Sequence, residues 1–168
     1  MSGKAKLAVA FIICNNVDKQ RNNFRYQTAS GMLEVIRKGE RYEMNFPARK
    51  PHQIQATPLM QQAIGCHIHE AHLSRDCILL VEDEKTLQSL NPNMELLRKF
   101  PEGFAVAVTA KGDTVDFVSR FFAPGAGIPE DPVTGSSHAT LIPFWAERLG
   151  KKQMIARQLS KRGGTLYC

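Results

Sequence analysis

One stretch constrains the architecture more than any other: Arg120-Phe-Phe-Ala-Pro-Gly-Ala-Gly-Ile-Pro-Glu130-Asp-Pro-Val-Thr-Gly-Ser-Ser-His138, running on through Trp145 to Gly150. A short apolar run is followed by a turn rich in glycine and proline. Then comes a segment whose Ala139, Leu141, Ile142, Phe144, Trp145 and Ala146 would point to every side of a helix. The pattern predicts a strand, a long ordered turn and a helix over Ser137 to Leu149 that other structure encloses. Ser136 is its expected N-cap and Gly150 its expected C-cap. Pro143 removes one backbone bond within it, so a kink is expected there.

This turn also carries the strongest chemical signal. The first amides of a helix lack intrahelical acceptors and carry partial positive charge, which suits a carboxylate guest. Asp131 beside them could orient such a guest or take part in proton transfer. The competing reading is a capped helix whose loop Asp131 fixes through its own backbone. The residues alone leave both readings open.

Elsewhere, residues 5–14 form an apolar run that period cannot assign to helix or strand. Phe24 to Thr28, Met32 to Arg37 and Arg41 to Phe46 read as an antiparallel meander, with a hairpin turn at Lys38-Gly39-Glu40. Pro47 to Pro51 breaks the pattern and suggests a domain boundary, giving segments 1–50 and 51–168. Pro58 to Ile64 fits a short helix closed by Gly65, and Asp76 to Val81 a strand. Two short helical segments follow, over Asp83 to Leu90 and Asn93 to Arg98. Phe104 to Thr109 and Asp116 to Phe122 form a hairpin, and Leu166-Tyr-Cys168 ends the chain as a strand without a hairpin partner.

Composition excludes several classes. The net charge of +6 is spread along the chain with no interleaved aromatic platform, which argues against nucleic acid as a partner. No apolar run is long enough for a membrane helix. Lys4 and Lys6 ahead of Leu7 to Cys14 imitate a signal peptide, but Asn15-Asn16-Val17-Asp18 offers no cleavage site. The four cysteines, Cys14, Cys66, Cys77 and Cys168, form no disulfide framework, so a cytoplasmic location is expected. Cys66, His67, His69 and His72 are a conceivable zinc set, with His67 and His69 on one face of a strand, although typical zinc spacings are absent. His138, in the first turn of the enclosed helix, is expected to bond locally rather than hold an anion.

The run Arg120-Phe-Phe-Ala-Pro, Glu130-Asp-Pro-Val-Thr-Gly-Ser, His138, Trp145-Ala-Glu-Arg-Leu-Gly-Lys151 and Gln158-Leu-Ser-Lys-Arg-Gly-Gly164 strongly resembles the PhzF-like, or phenazine-biosynthesis-like, family. Thr28-Ala-Ser-Gly-Met-Leu-Glu34 and Tyr42-Glu-Met-Asn-Phe-Pro-Ala48 resemble its first half. The resemblance implies an α+β, diaminopimelate-epimerase-like fold: two similar halves, each a mixed sheet around a central helix. Residues 5–14 would be the first central helix and Ser137 to Leu149 the second. It also implies isomerisation by proton transfer without a cofactor or a metal. Asp131 and Ser136 would be the catalytic-side residues, and Thr134, Gly135, Ser137 and Gly3 would hold a small carboxylate-bearing substrate. The related epimerases place a cysteine near Thr134, so a cysteine mechanism is not implied here.

The chain departs from the family pattern. It contains no Ser-Glu-Thr stretch, whose glutamate shuttles the proton, and Gly3-Lys4-Ala5-Lys6 stands where Gly-His-Ala-Thr is usual. The expectation is a first half lacking its opening strands, a second half lacking its last strands, and impaired turnover. The alternative is a non-catalytic remnant that binds small anions or a protein. A zinc or nucleic-acid module is the third reading. Uncovered apolar surface would favour a homo-oligomer, such as a dimer.

Overall fold

The computed structural model describes residues 3–28, 31–100 and 105–168. The chain divides into two compact units, Met1–Pro47 and Ala48–Cys168.

In the first unit, helix α1 (Gly3–Ile12) continues as a π-helical turn over Ile13–Val17. Strands β1 (Asn23–Thr28), β2 (Gly31–Lys38) and β3 (Arg41–Asn45) form an antiparallel sheet in that order. Ala10 and Cys14 are buried against Phe24 and Val35, with Tyr26, Tyr42 and Met44 packed around them. The family resemblance made residues 5–14 a central helix, and their all-round apolar character fitted an enclosed one. Instead only one side is covered by the described residues: Phe11 and Ile12 are 55% and 53% exposed. A three-stranded sheet offers one face, and a helix laid on it buries one stripe.

The second unit is built on a seven-stranded mixed sheet in the order β10-β9-β8-β7-β6-β5-β4. Its strands are β4 (His52–Ile54), β5 (Glu70–Leu73), β6 (Cys77–Leu80), β7 (Val106–Lys111), β8 (Phe117–Phe122), β9 (Ile155–Gln158) and β10 (Gly164–Tyr167). β6 with β7 and β8 with β9 are parallel, and the other neighbours are antiparallel. The chain's last strand is therefore not partnerless: β9 supplies the hairpin. The predicted first residue of β7, Phe104, lies outside the described residues.

Alternation along the strands divides the core. Leu79, Val108, Val118 and Phe122 face the short helices α2 (Pro58–Ile64), α3 (Glu84–Ser89) and α4 (Met94–Leu97), meeting Met60, Ile64, Leu87 and Leu97. Ile78, Ala107, Phe117 and Phe121 face α5 (Gly135–Leu149), meeting Leu141, Phe144 and Trp145. Phe117 stacks on Trp145 at 5.8 Å, and the Trp145 Nε1 proton is donated to Thr109 Oγ1 at 2.9 Å. Thr109 Oγ1 donates in turn to the Val118 carbonyl at 2.7 Å. The indole thus brings a large apolar area into the core and leaves no orphan donor.

The first turns of α5 are buried on all sides from Ser137 to Leu141, as the sequence predicted, whereas Glu147 and Gly150 are exposed. The helix runs without interruption past Pro143.

Candidate functional site at the amino end of helix α5

The loop from β8 to α5 is pinned at several points. The Asp131 amide donates to the Phe121 carbonyl at 2.9 Å, which fixes Asp131 beside the end of β8. The preceding residue, Glu130, takes a two-point bond from Arg120, Nε to Oε1 at 2.7 Å and Nη2 to Oε2 at 3.0 Å. Arg120 Nη1 also donates to the Leu90 carbonyl at 2.7 Å. A guanidinium fork matches a carboxylate in this way and gives the loop a defined direction.

The N-cap position of α5 belongs to Thr134, not to Ser136 as the sequence suggested. Thr134 makes no side-chain bond to the helix amides; its hydroxyl donates to Asp131 Oδ2 at 2.8 Å. The helix begins two residues earlier than expected because Gly135 already takes helical backbone geometry. Ser136 therefore lies inside the first turn, where its Oγ accepts from Arg75 Nη2 at 3.3 Å. Arg75 is itself paired with Asp76, whose side chain is fully buried, at 2.7 Å. The amino end of a fifteen-residue helix thus lacks a side-chain cap and has a guanidinium and a carboxylate near it.

Ser137 and His138 face inward. Ser137 Oγ donates to the Thr134 carbonyl at 2.8 Å, and His138 Nδ1 donates to the same carbonyl at 2.8 Å. Burial pushes the His138 ring well below the usual imidazole range, although the Thr134 carbonyl works against this. The ring is neutral and locally bonded, and it does not act as an anion-binding cation.

A second layer supports the turn from β9 and the segment after it. Gln158 donates to the Asp131 carbonyl at 2.6 Å and accepts from the Thr134 amide at 2.7 Å. Ser160 Oγ donates to the Pro132 carbonyl at 2.7 Å. A Cβ on Gly164 would stand 2.6 Å from Val133 Cγ2, so only glycine permits this close approach. An open cavity of about 440 Å³ borders the β9–β10 segment, lined by Gln88, Arg157, Gln158, Lys161 and Arg162 among others; Asp131 is not in its lining.

Asp131, Thr134, Gly135, Ser136 and Ser137 are thus brought together within the second unit. Gly3 opens α1 in the first unit, where a Cβ would meet Phe46 Cζ at 3.3 Å. The side chain of Lys4 lies outside the described residues. The sequence missed Arg75 and Gln158 as site residues. Gln158 stands in the conspicuous Gln158-Leu-Ser-Lys-Arg-Gly-Gly164 run, whereas nothing local distinguishes Arg75.

The zinc reading fails among the described residues, which contain no group of three or more potential metal ligands. His67 and His69 precede β5 instead of lying on a strand, and their rings meet edge to face at 4.9 Å. His69 pairs with Glu82 at 2.6 Å, and His72 with Glu70 at 2.7 Å. Burial pushes the Cys66 thiol up, and burial with Asp116 beside it takes Cys168 to about 11. Neither supplies a thiolate at neutral pH.

The architecture, a mixed sheet with a central helix buried at its amino end, is that of the diaminopimelate-epimerase-like fold seen in the structural neighbours. The family model described as phenazine biosynthesis-like protein matches residues 1–168, and the chain belongs to that family. It is 40% identical over 168 residues to an uncharacterized isomerase of Pseudomonas aeruginosa, covering 100% of this chain and 64% of that one. A PhzF-family crystal structure from Enterococcus faecalis superposes with a TM-score of 0.97 at 42% identity, covering 100% of this chain and 65% of the other. A PhzC/PhzF protein from Clostridium difficile gives a TM-score of 0.93 at 45% identity, with 100% and 64% covered. The chain spans about 64% of the length of the curated relatives it matches.

Proposed function

We propose that this chain serves a cofactor-free, proton-transfer isomerase acting on a small carboxylate-bearing molecule. The substrate carboxylate docks on the amides of Gly135, Ser136 and Ser137, with the Arg75 guanidinium as countercharge and the Ser136 hydroxyl as a direct contact. Asp131 orients the ligand or exchanges a proton with it. The observation that carries this reading is the uncapped amino end of α5, with Arg75 reaching Ser136 and Asp131 held by Thr134. Family membership and the name of the Pseudomonas relative support isomerase chemistry. The free cysteines suit the cytoplasm, and no helix of the described residues is long and apolar enough to cross a membrane.

One observation favours a second reading. No Ser-Glu-Thr stretch occurs in these 168 residues, so the chain by itself is expected to bind carboxylates better than it turns them over. Deuterium incorporation from heavy water into a panel of cyclic unsaturated carboxylic acids tests both. Exchange that vanishes in Asp131→Ala supports the isomerase. Saturable binding without exchange supports the anion-binding remnant, and absence of both removes the docking site altogether.

A further inference from the structure

We infer that Gln158 is a positioning residue for Asp131, setting the direction of the Thr134 hydroxyl proton; this rests on the role proposed for Asp131. Gln158 closes β9 and is 1% exposed, so its amide finds its partners within the protein. Its orientation is forced. The Thr134 N–H can only donate, so it faces Oε1 at 2.7 Å, and the Asp131 carbonyl can only accept, so it faces Nε2 at 2.6 Å. The second Nε2 proton reaches Thr134 Oγ1 at 3.2 Å. A threonine oxygen that receives a proton on one side directs its own hydroxyl proton elsewhere, and Asp131 Oδ2 lies 2.8 Å away.

The result is a one-way chain from Gln158 through Thr134 to the carboxylate. It runs through buried or part-buried contacts, where water competes little for the bonds. Gln158 holds the backbone and the side chain of the same turn at once. Asp131 therefore meets a docked ligand with its carboxylate already turned.

The variants Gln158→Leu, which keeps bulk and removes all three polar contacts, and Gln158→Glu separate this role from packing. Two readouts serve: the ¹³C resonance of the Asp131 carboxyl, and benzoate binding followed at the amides of Gly135, Ser136 and Ser137. The Asp131 resonance is expected to move in the same direction in Gln158→Leu and Thr134→Val. Benzoate affinity is expected to fall about tenfold in Gln158→Leu. In Gln158→Glu it should approach wild type only at low pH, where the introduced carboxyl is protonated and can donate to the Asp131 carbonyl.

An Asp131 resonance unmoved in Gln158→Leu but moved in Thr134→Val overturns the inference, as does a Gln158→Glu protein indifferent to pH. If Gln158→Leu does not fold, the pH pair from Gln158→Glu decides. If the wild-type chain does not bind benzoate, the docking reading fails, and the Asp131 resonance alone judges Gln158.

Discussion

The Thr134 hydroxyl donates to Asp131 Oδ2 over 2.8 Å, so the side chain at the cap position of α5 serves a carboxylate three residues before it, not the helix. A helix that forgoes its own cap gives up roughly 1 kcal/mol. Here the helix end that its N-cap side chain leaves uncapped has a guanidinium, a carboxylate and a glycine at the first helical position near it.

Thr134→Val should therefore be worse than Thr134→Ser. Valine removes the donor to Asp131 and the acceptor for Gln158 in a largely buried setting, taking two bonds out of the network that holds the turn. The expected loss is about 1–3 kcal/mol of stability, with serine retaining most of the bonding. Urea unfolding midpoints of the two variants check this ordering.

His138 makes stability depend on pH. Its folded-state pKa is depressed by burial, so the unfolded chain takes up a proton more readily than the folded one. Stability is full above the ordinary imidazole pKa of about 6.5. As pH falls below that value, stability drops by up to about 1.4 kcal/mol per unit until the buried ring itself protonates. His138→Gln, which does not titrate, should flatten this part of the profile. Unfolding midpoints of both proteins between roughly pH 7.5 and pH 5 give the difference; parallel curves would contradict the assignment.

Arg120 fastens the loop that carries Asp131. It binds Glu130 at two points, donates to the Leu90 carbonyl and lies 5.1 Å over the Phe122 ring, with only 12% of its side chain exposed. Arg120→Lys keeps the charge but cannot reproduce the fork. It is expected to cost about 2 kcal/mol, and Arg120→Ala about 3–5 kcal/mol because Glu130 would be left without its partner. If carboxylate docking depends on this loop, both variants should also weaken benzoate binding. A double-mutant cycle with Glu130→Gln isolates the pair energy.

Much of this arrangement was legible in residue order. Glycine, proline and the all-round apolar run marked the turn and the buried start of α5, and Asp131 stood out as a carboxylate beside helix amides, although the residues alone left a ligand-orienting and a loop-fixing role equally open. Features created by long-range pairing were not legible. Arg75 reaches Ser136, and Gln158 reaches Thr134, only because the strand registers bring the start of β6 and the ends of β8 and β9 to one end of the sheet. The N-cap moved from Ser136 to Thr134 because local propensity favours either residue, while tertiary bonds to Asp131 and Gln158 selected the turn geometry. For residues 5–14, period alone could not separate helix from strand, nor show how much surface its neighbours would cover.

That exposed stripe carries the last prediction. Phe11 and Ile12 are 55% and 53% exposed and Val9 is 40% exposed, all on α1, with Tyr42 beside Phe11 at 6.2 Å between ring centroids. Contiguous apolar surface of this kind drives association, since burying each large side chain is worth about 1.5–3 kcal/mol. The chain is expected to self-associate, with a weight-average mass that rises with concentration in sedimentation equilibrium. Phe11→Lys should shift it toward monomer without lowering the unfolding free energy by more than about 1 kcal/mol, because the ring is half in water already. A wild-type chain that stays monomeric at high concentration would show that α1 tolerates its open face unaided.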